Sequence, residues 1–178
     1  ESLLFDVEKI VLEKMKGDDL PNKEAIASMV AVGAIKYAIL KQASGRDIVF
    51  DFEKSLSFEG NSGPYLQYSY ARARSIIRKA EELGLVWDNN TVSLEGNFVS
   101  RLLYRFPEVV FRAGEEKEPH YIVTYLNELA GAFNTYYANE KILDGSEKAI
   151  HKVALTEAIS ITIQNGLNLL GIEAPERM

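Results

Sequence analysis

The chain contains no cysteine and only two histidines, His120 and His151. The first absence removes disulfides, thiolate nucleophiles and cysteine-held zinc. The two histidines stand far apart and share no metal-ligand spacing, and no nucleophile sits at a recognisable distance from either. No apolar run approaches the roughly 20 residues that span a bilayer. No charged-then-apolar start resembles a signal peptide. These gaps predict a soluble, cytoplasmic chain with no membrane partner, no metal ligands and no catalytic residues. An excess of basic residues is missing too. The 26 Asp+Glu against 20 Lys+Arg leave a net charge of −6, which excludes a generically basic nucleic-acid binder, and no DNA partner is expected. The chain opens on Glu1 rather than methionine, as expected of a fragment or a processed product.

What is present is a core. A hydrophobic fraction of 47% over 178 residues suits one domain, or one domain plus an appendage. Three-to-four spacing of apolar residues predicts helices over about 3–16, 23–42, 64–83, 93–106, 120–143 and 147–170. A shorter helix, 108–113, is predicted after Pro107, followed by a polar loop GEEKEP. Gly17-Asp18-Asp19 reads as a stop, and Trp87-Asp88-Asn89-Asn90 as a turn. DIVFDF, residues 47–52, is β-branched and aromatic, so it predicts an extended segment or a short strand. The fold class is therefore all-α, a helical bundle with a short extended segment near 47–52. From Pro64 onward the bundle is expected to have about five helices.

One stretch departs from the acidic whole. GPYLQYSYARARSIIRKA, residues 63–80, holds three tyrosines and four cations and no acid. At about 100° per residue, Leu66, Ala73, Ile76, Ile77 and Ala80 form a core stripe. Tyr65, Tyr68, Arg72, Ser75 and Lys79 form a second stripe a third of a turn away. Rings and cations in a row suit single-stranded RNA. Tyrosine offers a flat surface to an unstacked base, and arginine pairs with phosphate or lies on a base plane. Arg74 and Arg78, at the flank, are further candidate phosphate contacts with Lys79. The plainer alternative is that these tyrosines pack on neighbouring helices and the arginines form a solvated face. Arg101, Arg105 and Arg112 are read as such a face.

The same stretch, with the upstream VGAIKYAIL and DFEKSLSFEGNSGPY, closely resembles the arginyl-tRNA synthetase family. The final LLGIEAPERM is similar to that family's C-terminal sequence, and the resemblance spans nearly the whole chain. It implies a class I aminoacyl-tRNA synthetase as parent. Residues 58–178 are expected to be its DALR-type anticodon-binding domain, and residues 1–57 the helical end of its catalytic portion. The family's catalytic half carries an HIGH-type motif and often a KMSKS-type loop, and neither occurs here. Lys14-Met15-Lys16 lacks the serine and falls in an amphipathic helix.

The resemblance also implies a site. Tyr65 and Tyr68 match tyrosines that approach the anticodon loop, and Arg72 matches an arginine one turn later. In AFNTYYANEKIL an aromatic faces the anticodon. Tyr137 is the expected one, with Tyr136 a close competitor; the two point about 100° apart, so one of them is expected to pack inward. Met178 matches a position near the anticodon and is expected at a base edge or sugar. Arginine anticodons share a middle C, and Asn134 or Gln67 are candidates to read it, although Gln67 equally suits buried backbone groups. The expected partners are tRNA-Arg, through its anticodon loop, and the catalytic domain of the same chain. No cofactor is expected here, whereas the parent uses ATP and magnesium. A helical protein-interaction module remains the alternative, and an exposed apolar face on the first helix would favour it.

Overall fold

The computed structural model describes residues 2–16, 21–88, 91 and 98–178. Asp18, Asp19, Asn89, Asn90 and the expected helix start at Ser93 lie outside them. Among the described residues the chain forms seven α-helices and no strand: α1 Ser2–Lys14, α2 Lys23–Leu40, α3 Phe52–Ser55, α4 Gly63–Glu82, α5 Phe98–Glu116, α6 His120–Asn139 and α7 Ala149–Leu169.

The long central helix, α4, packs on α7, α2 and α6, while α5 packs on α6 and α7, and α1 on α2. Two apolar clusters result. The larger joins Leu66, Tyr70, Leu126, Phe133, Ile159 and Ile163. The smaller joins Val7, Val11, Val30, Ala31, Ala34 and Leu56. The core stripe predicted for α4 supplies Leu66, Ala73, Ile76 and Ala80 of the larger cluster.

Local chemistry sets the ends of α4. The Ser62 hydroxyl accepts from Tyr65 N–H at 3.1 Å, and Pro64 occupies the first turn, where no N–H partner is needed. At the other end Gly84 adopts φ +72, and Leu85 N–H reaches back to Ala80 C=O at 3.0 Å. That left-handed step closes the helix as glycine allows.

The helices after Pro64 need correction. The region around Pro107 is one helix, α5, with the proline inside it. An interior proline forfeits a backbone hydrogen bond. Here the ring faces solvent, while Leu103, Phe106 and Val109 pack the core on either side of it. The apolar face outweighs the lost bond, so among the described residues there are four helices rather than five from Pro64 onward. The helix also continues through Gly114 to Glu116, into the expected polar loop, with Arg112 paired to Glu116 at 2.8 Å. Of the two readings of 47–52, the extended segment is the one observed, since no strand occurs among the described residues. Residues 47–51 carry no regular structure, Val49 is 84% exposed, and Asp51 is an extended N-cap accepting from Lys54 N–H at 3.1 Å. The shorter observed ends of α6 and α7 leave Glu140–Lys148 as a loop, tied down by Lys152 to Glu140 at 3.0 Å and Asp144 at 3.1 Å.

No helix among the described residues is long and apolar enough to cross a membrane.

Candidate nucleic-acid interface

The second stripe of α4 opens onto a cleft of about 450 Å3. Tyr68, Arg72, Arg78 and Lys79 line it from α4, Tyr137 from α6, and Arg177 and Met178 from the terminal segment. Ala71, Ser75 and Ile76 of α4 complete the lining. Four cations and two tyrosine rings thus converge, and no acidic side chain lines the cleft. In a chain of net charge −6 this is a local inversion of sign. Field lines from clustered cations in a cleft attract a polyanion far more than the net charge suggests.

Arg72 organises the middle of the cleft. Its Cζ lies 4.7 Å from the Tyr68 ring centroid and 5.0 Å from that of Tyr137. Its Nη1 donates to Asn134 Oδ1. Asn134 in turn donates to Tyr65 Oη at 3.0 Å and Ser69 Oγ at 2.9 Å. One α6 amide therefore ties three α4 side chains together. Tyr68 also meets the Phe58 ring edge-on at 5.9 Å. The rings sit where a flat ligand can reach them, and their positions are fixed before any ligand arrives.

The structure sorts the expected residues. Tyr68, Arg72, Lys79, Arg78, Tyr137 and Met178 share the cleft. Tyr137 is 44% exposed, whereas Tyr136 packs on the larger core and burial raises its pKa. Tyr65 departs from the strip. It packs against the core at the α4–α6 contact, with its hydroxyl on Asn134, and does not line the cleft. Asn134 has its amide engaged by these same groups, so it positions side chains rather than presenting a free reading edge.

Arg74 departs as well. It pairs with Glu176 at 3.5 Å and lies outside the cleft, so its expected phosphate contact has no geometric support. Arg78 reaches the cleft but already donates to Glu176 C=O at 3.1 Å. Gln67 is fully buried and donates to Met29 C=O at 3.1 Å and Glu173 C=O at 2.6 Å. It serves backbone groups, the second of its two expected roles. The reason lies in a close helix crossing. A Cβ on Gly63 would come within 2.7 Å of the Gly33 carbonyl carbon, and one on Gly33 within 2.7 Å of Gln67 Nε2. The two glycines let α2 and α4 touch, and the amide fills the remaining space.

Sequence reasoning missed Arg177 and Phe58. Neither falls on a periodic stripe, and only their proximity to Tyr68 and α4 in space reveals them. Outside the cleft, α1 exposes Leu4 and Phe5, the latter by 68%, as the interaction-module alternative requires.

Known proteins share this architecture. The arginine–tRNA ligase of Latilactobacillus sakei is 39% identical over 181 residues, taking in 100% of this chain and 32% of that protein. The arginine–tRNA ligase of Pyrococcus furiosus is 42% identical over 166 residues, 88% of this chain and 26% of that protein. The chain thus spans a third or less of these relatives' length. The arginyl-tRNA synthetase structure from Thermus thermophilus superposes with a TM-score of 0.88 at 34% identity, over 99% of this chain and 32% of that one. The sequence from Leu66 to Met178 matches the DALR anticodon binding domain. With that match covering residues 66–178, more than half its length, the chain belongs to the DALR anticodon-binding domain family.

Proposed function

We propose that the α4 cleft binds the anticodon loop of tRNA-Arg, and that the chain is the anticodon-reading part of an arginine–tRNA ligase. The observation that carries this reading is the cleft itself, in which four cations and two tyrosine rings meet with no acidic side chain. Unstacked loop bases lie on Tyr68 and Tyr137, each stacking contact being worth about 1–3 kcal/mol. Lys79 and the free donors of Arg78 neutralise phosphates and release their counterions. Arg72 holds the two rings in place. Residues 1–57 are the end of the catalytic portion and residues 58–178 the anticodon-binding bundle. The rest of the enzyme, cytoplasmic and preceding this segment in the same chain, uses ATP and magnesium to make the arginyl adenylate and passes the arginyl group to the tRNA. This segment recognises and orients the tRNA.

A labelled anticodon stem-loop, titrated at two salt concentrations, tests the reading. Binding weakens as salt rises, and replacing the middle C by another base weakens it further. Tyr68→Ala costs about tenfold or more in affinity. A stem-loop that binds Tyr68→Ala and the unsubstituted chain equally well removes the cleft from RNA recognition. A stem-loop that does not bind at all leaves the interaction-module alternative, centred on Leu4 and Phe5 of α1, as the better account.

A further inference from the structure

The terminal segment 173–178 runs along α4 as a strap. Three α4 side chains hold it. Gln67 Nε2 donates to Glu173 C=O at 2.6 Å, Arg74 pairs with the Glu176 carboxylate at 3.5 Å, and Arg78 Nη1 donates to Glu176 C=O at 3.1 Å. Positions 67, 74 and 78 are spaced by seven and four, so they share one face of the helix. The adjacent face carries Tyr68, Arg72, Ser75 and Lys79 into the cleft. One helix therefore presents two parallel stripes, one toward the cleft and one toward its own chain. At the strap's root, Lys36 of α2 donates to Gly171 C=O, so the end of α7 is pinned as well.

This arrangement suspends Arg177 between two anchored neighbours. Glu176 is held by Arg74 and Arg78. Met178 packs against the smaller core cluster and also reaches the cleft. Arg177 is exposed and lines the cleft wall. Of the four cleft cations, Arg72 is taken up by two rings and Asn134, and Arg78 by the strap. Among the described residues, the Lys79 and Arg177 side chains alone of the four carry no ion pair or hydrogen bond. Lys79 is a point charge on a flexible stem. Arg177 offers a planar fork, matched to two phosphate oxygens, on a backbone already fixed at both sides.

We propose that Arg177 is a phosphate-binding residue of the RNA cleft, and that Arg74, outside the cleft, positions it by clamping Glu176. This rests on the cleft being an RNA site. It reverses the role that the sequence suggests for Arg74, whose charge serves the strap and not the nucleic acid. Restraining the strap before binding removes an ordering cost that a free tail imposes on every encounter.

The experiment is the same stem-loop titration across a salt series, with Arg177→Gln, Arg177→Lys, Arg74→Gln and the Arg74→Gln/Arg177→Gln double variant. Arg177→Gln is expected to weaken binding about three- to fivefold at moderate salt. The slope of log affinity against log salt becomes shallower by about 0.7, the loss of one single-strand phosphate contact. Arg177→Lys keeps the slope. Arg74→Gln weakens binding comparably, and the double variant binds within about twofold of Arg177→Gln, because both act through one contact. An unchanged slope in Arg177→Gln overturns the assignment of Arg177 while leaving the cleft as an RNA site. Additive losses in the double variant overturn the clamp and make Arg74 an independent contact. Absence of binding by the unsubstituted chain overturns the cleft reading and this proposal together.

Discussion

Replacing Arg72 by glutamine and, separately, by lysine distinguishes a spacer from a phosphate ligand. Both substitutions lose the guanidinium plate that bridges Tyr68 and Tyr137, at 4.7 and 5.0 Å from their centroids. Each ring contact is worth about 0.5–1 kcal/mol at a half-exposed site. The charge-assisted bond to Asn134 adds about 1.5–3 kcal/mol. Glutamine recovers a weaker bond to Asn134, and lysine recovers part of the ring attraction. The net loss is therefore about 2 kcal/mol for either. In a chain of this size that lowers Tm by about 4–8 °C. In the stem-loop titration both variants lose affinity by about fivefold, because the stacking rings are no longer held at their spacing. The salt slope is unchanged in both. A phosphate ligand behaves otherwise: lysine would keep affinity and slope, while glutamine would lose about 0.7 from the slope. That second pattern, seen in the salt series, refutes the spacer role.

Further outcomes follow from the core. Gly33→Ala places a methyl 2.7 Å from Gln67 Nε2 and 2.8 Å from its Oε1, displacing an amide that serves two backbone carbonyls. Overpacking and the lost bonds outweigh about 1 kcal/mol of gained helix propensity, for a net loss of about 3 kcal/mol. Thermal unfolding then shows a Tm lower by about 6–12 °C, and a shift under 2 °C refutes the close crossing. Tyr37 is buried, with its hydroxyl between Asn61 at 3.1 Å and Asn127 at 2.5 Å, and burial pushes its pKa up to about 12. A folded pKa above the unfolded value of about 10 gives stability that is complete below pH 10 and is lost as pH rises toward 12. Urea titrations at pH 7 and pH 11 should show Tyr37→Phe about 1–2 kcal/mol less stable at the lower pH, with the gap narrowing at the higher. A gap that widens at pH 11 contradicts that burial.

How much of this was legible beforehand differs from residue to residue. The core stripe of α4 and the cleft stripe beside it follow from 3.6-residue periodicity, since residues on one helix face share one environment wherever the helix packs. The helix caps at Ser62 and Gly84 follow from local backbone chemistry. The 100° separation of Tyr136 and Tyr137 follows from helix geometry, whereas the inward packing of Tyr136 is fixed by contacts with the larger core. Pro107 misled because a local rule for helix breaking cannot weigh the apolar face that carries α5 past it.

The residue order alone determined that this chain is helical, that it keeps one acid-free aromatic and basic face, and which family it resembles. These properties are carried by neighbours within a few turns. Only the tertiary structure decided that Tyr65 turns inward, that Gln67 and Arg74 hold the chain's own strap, and that Arg177 reaches the cleft. Those roles depend on contacts across 69 to 106 residues of sequence. No periodicity encodes such contacts, because they exist only once α2, α4, α6 and α7 have packed.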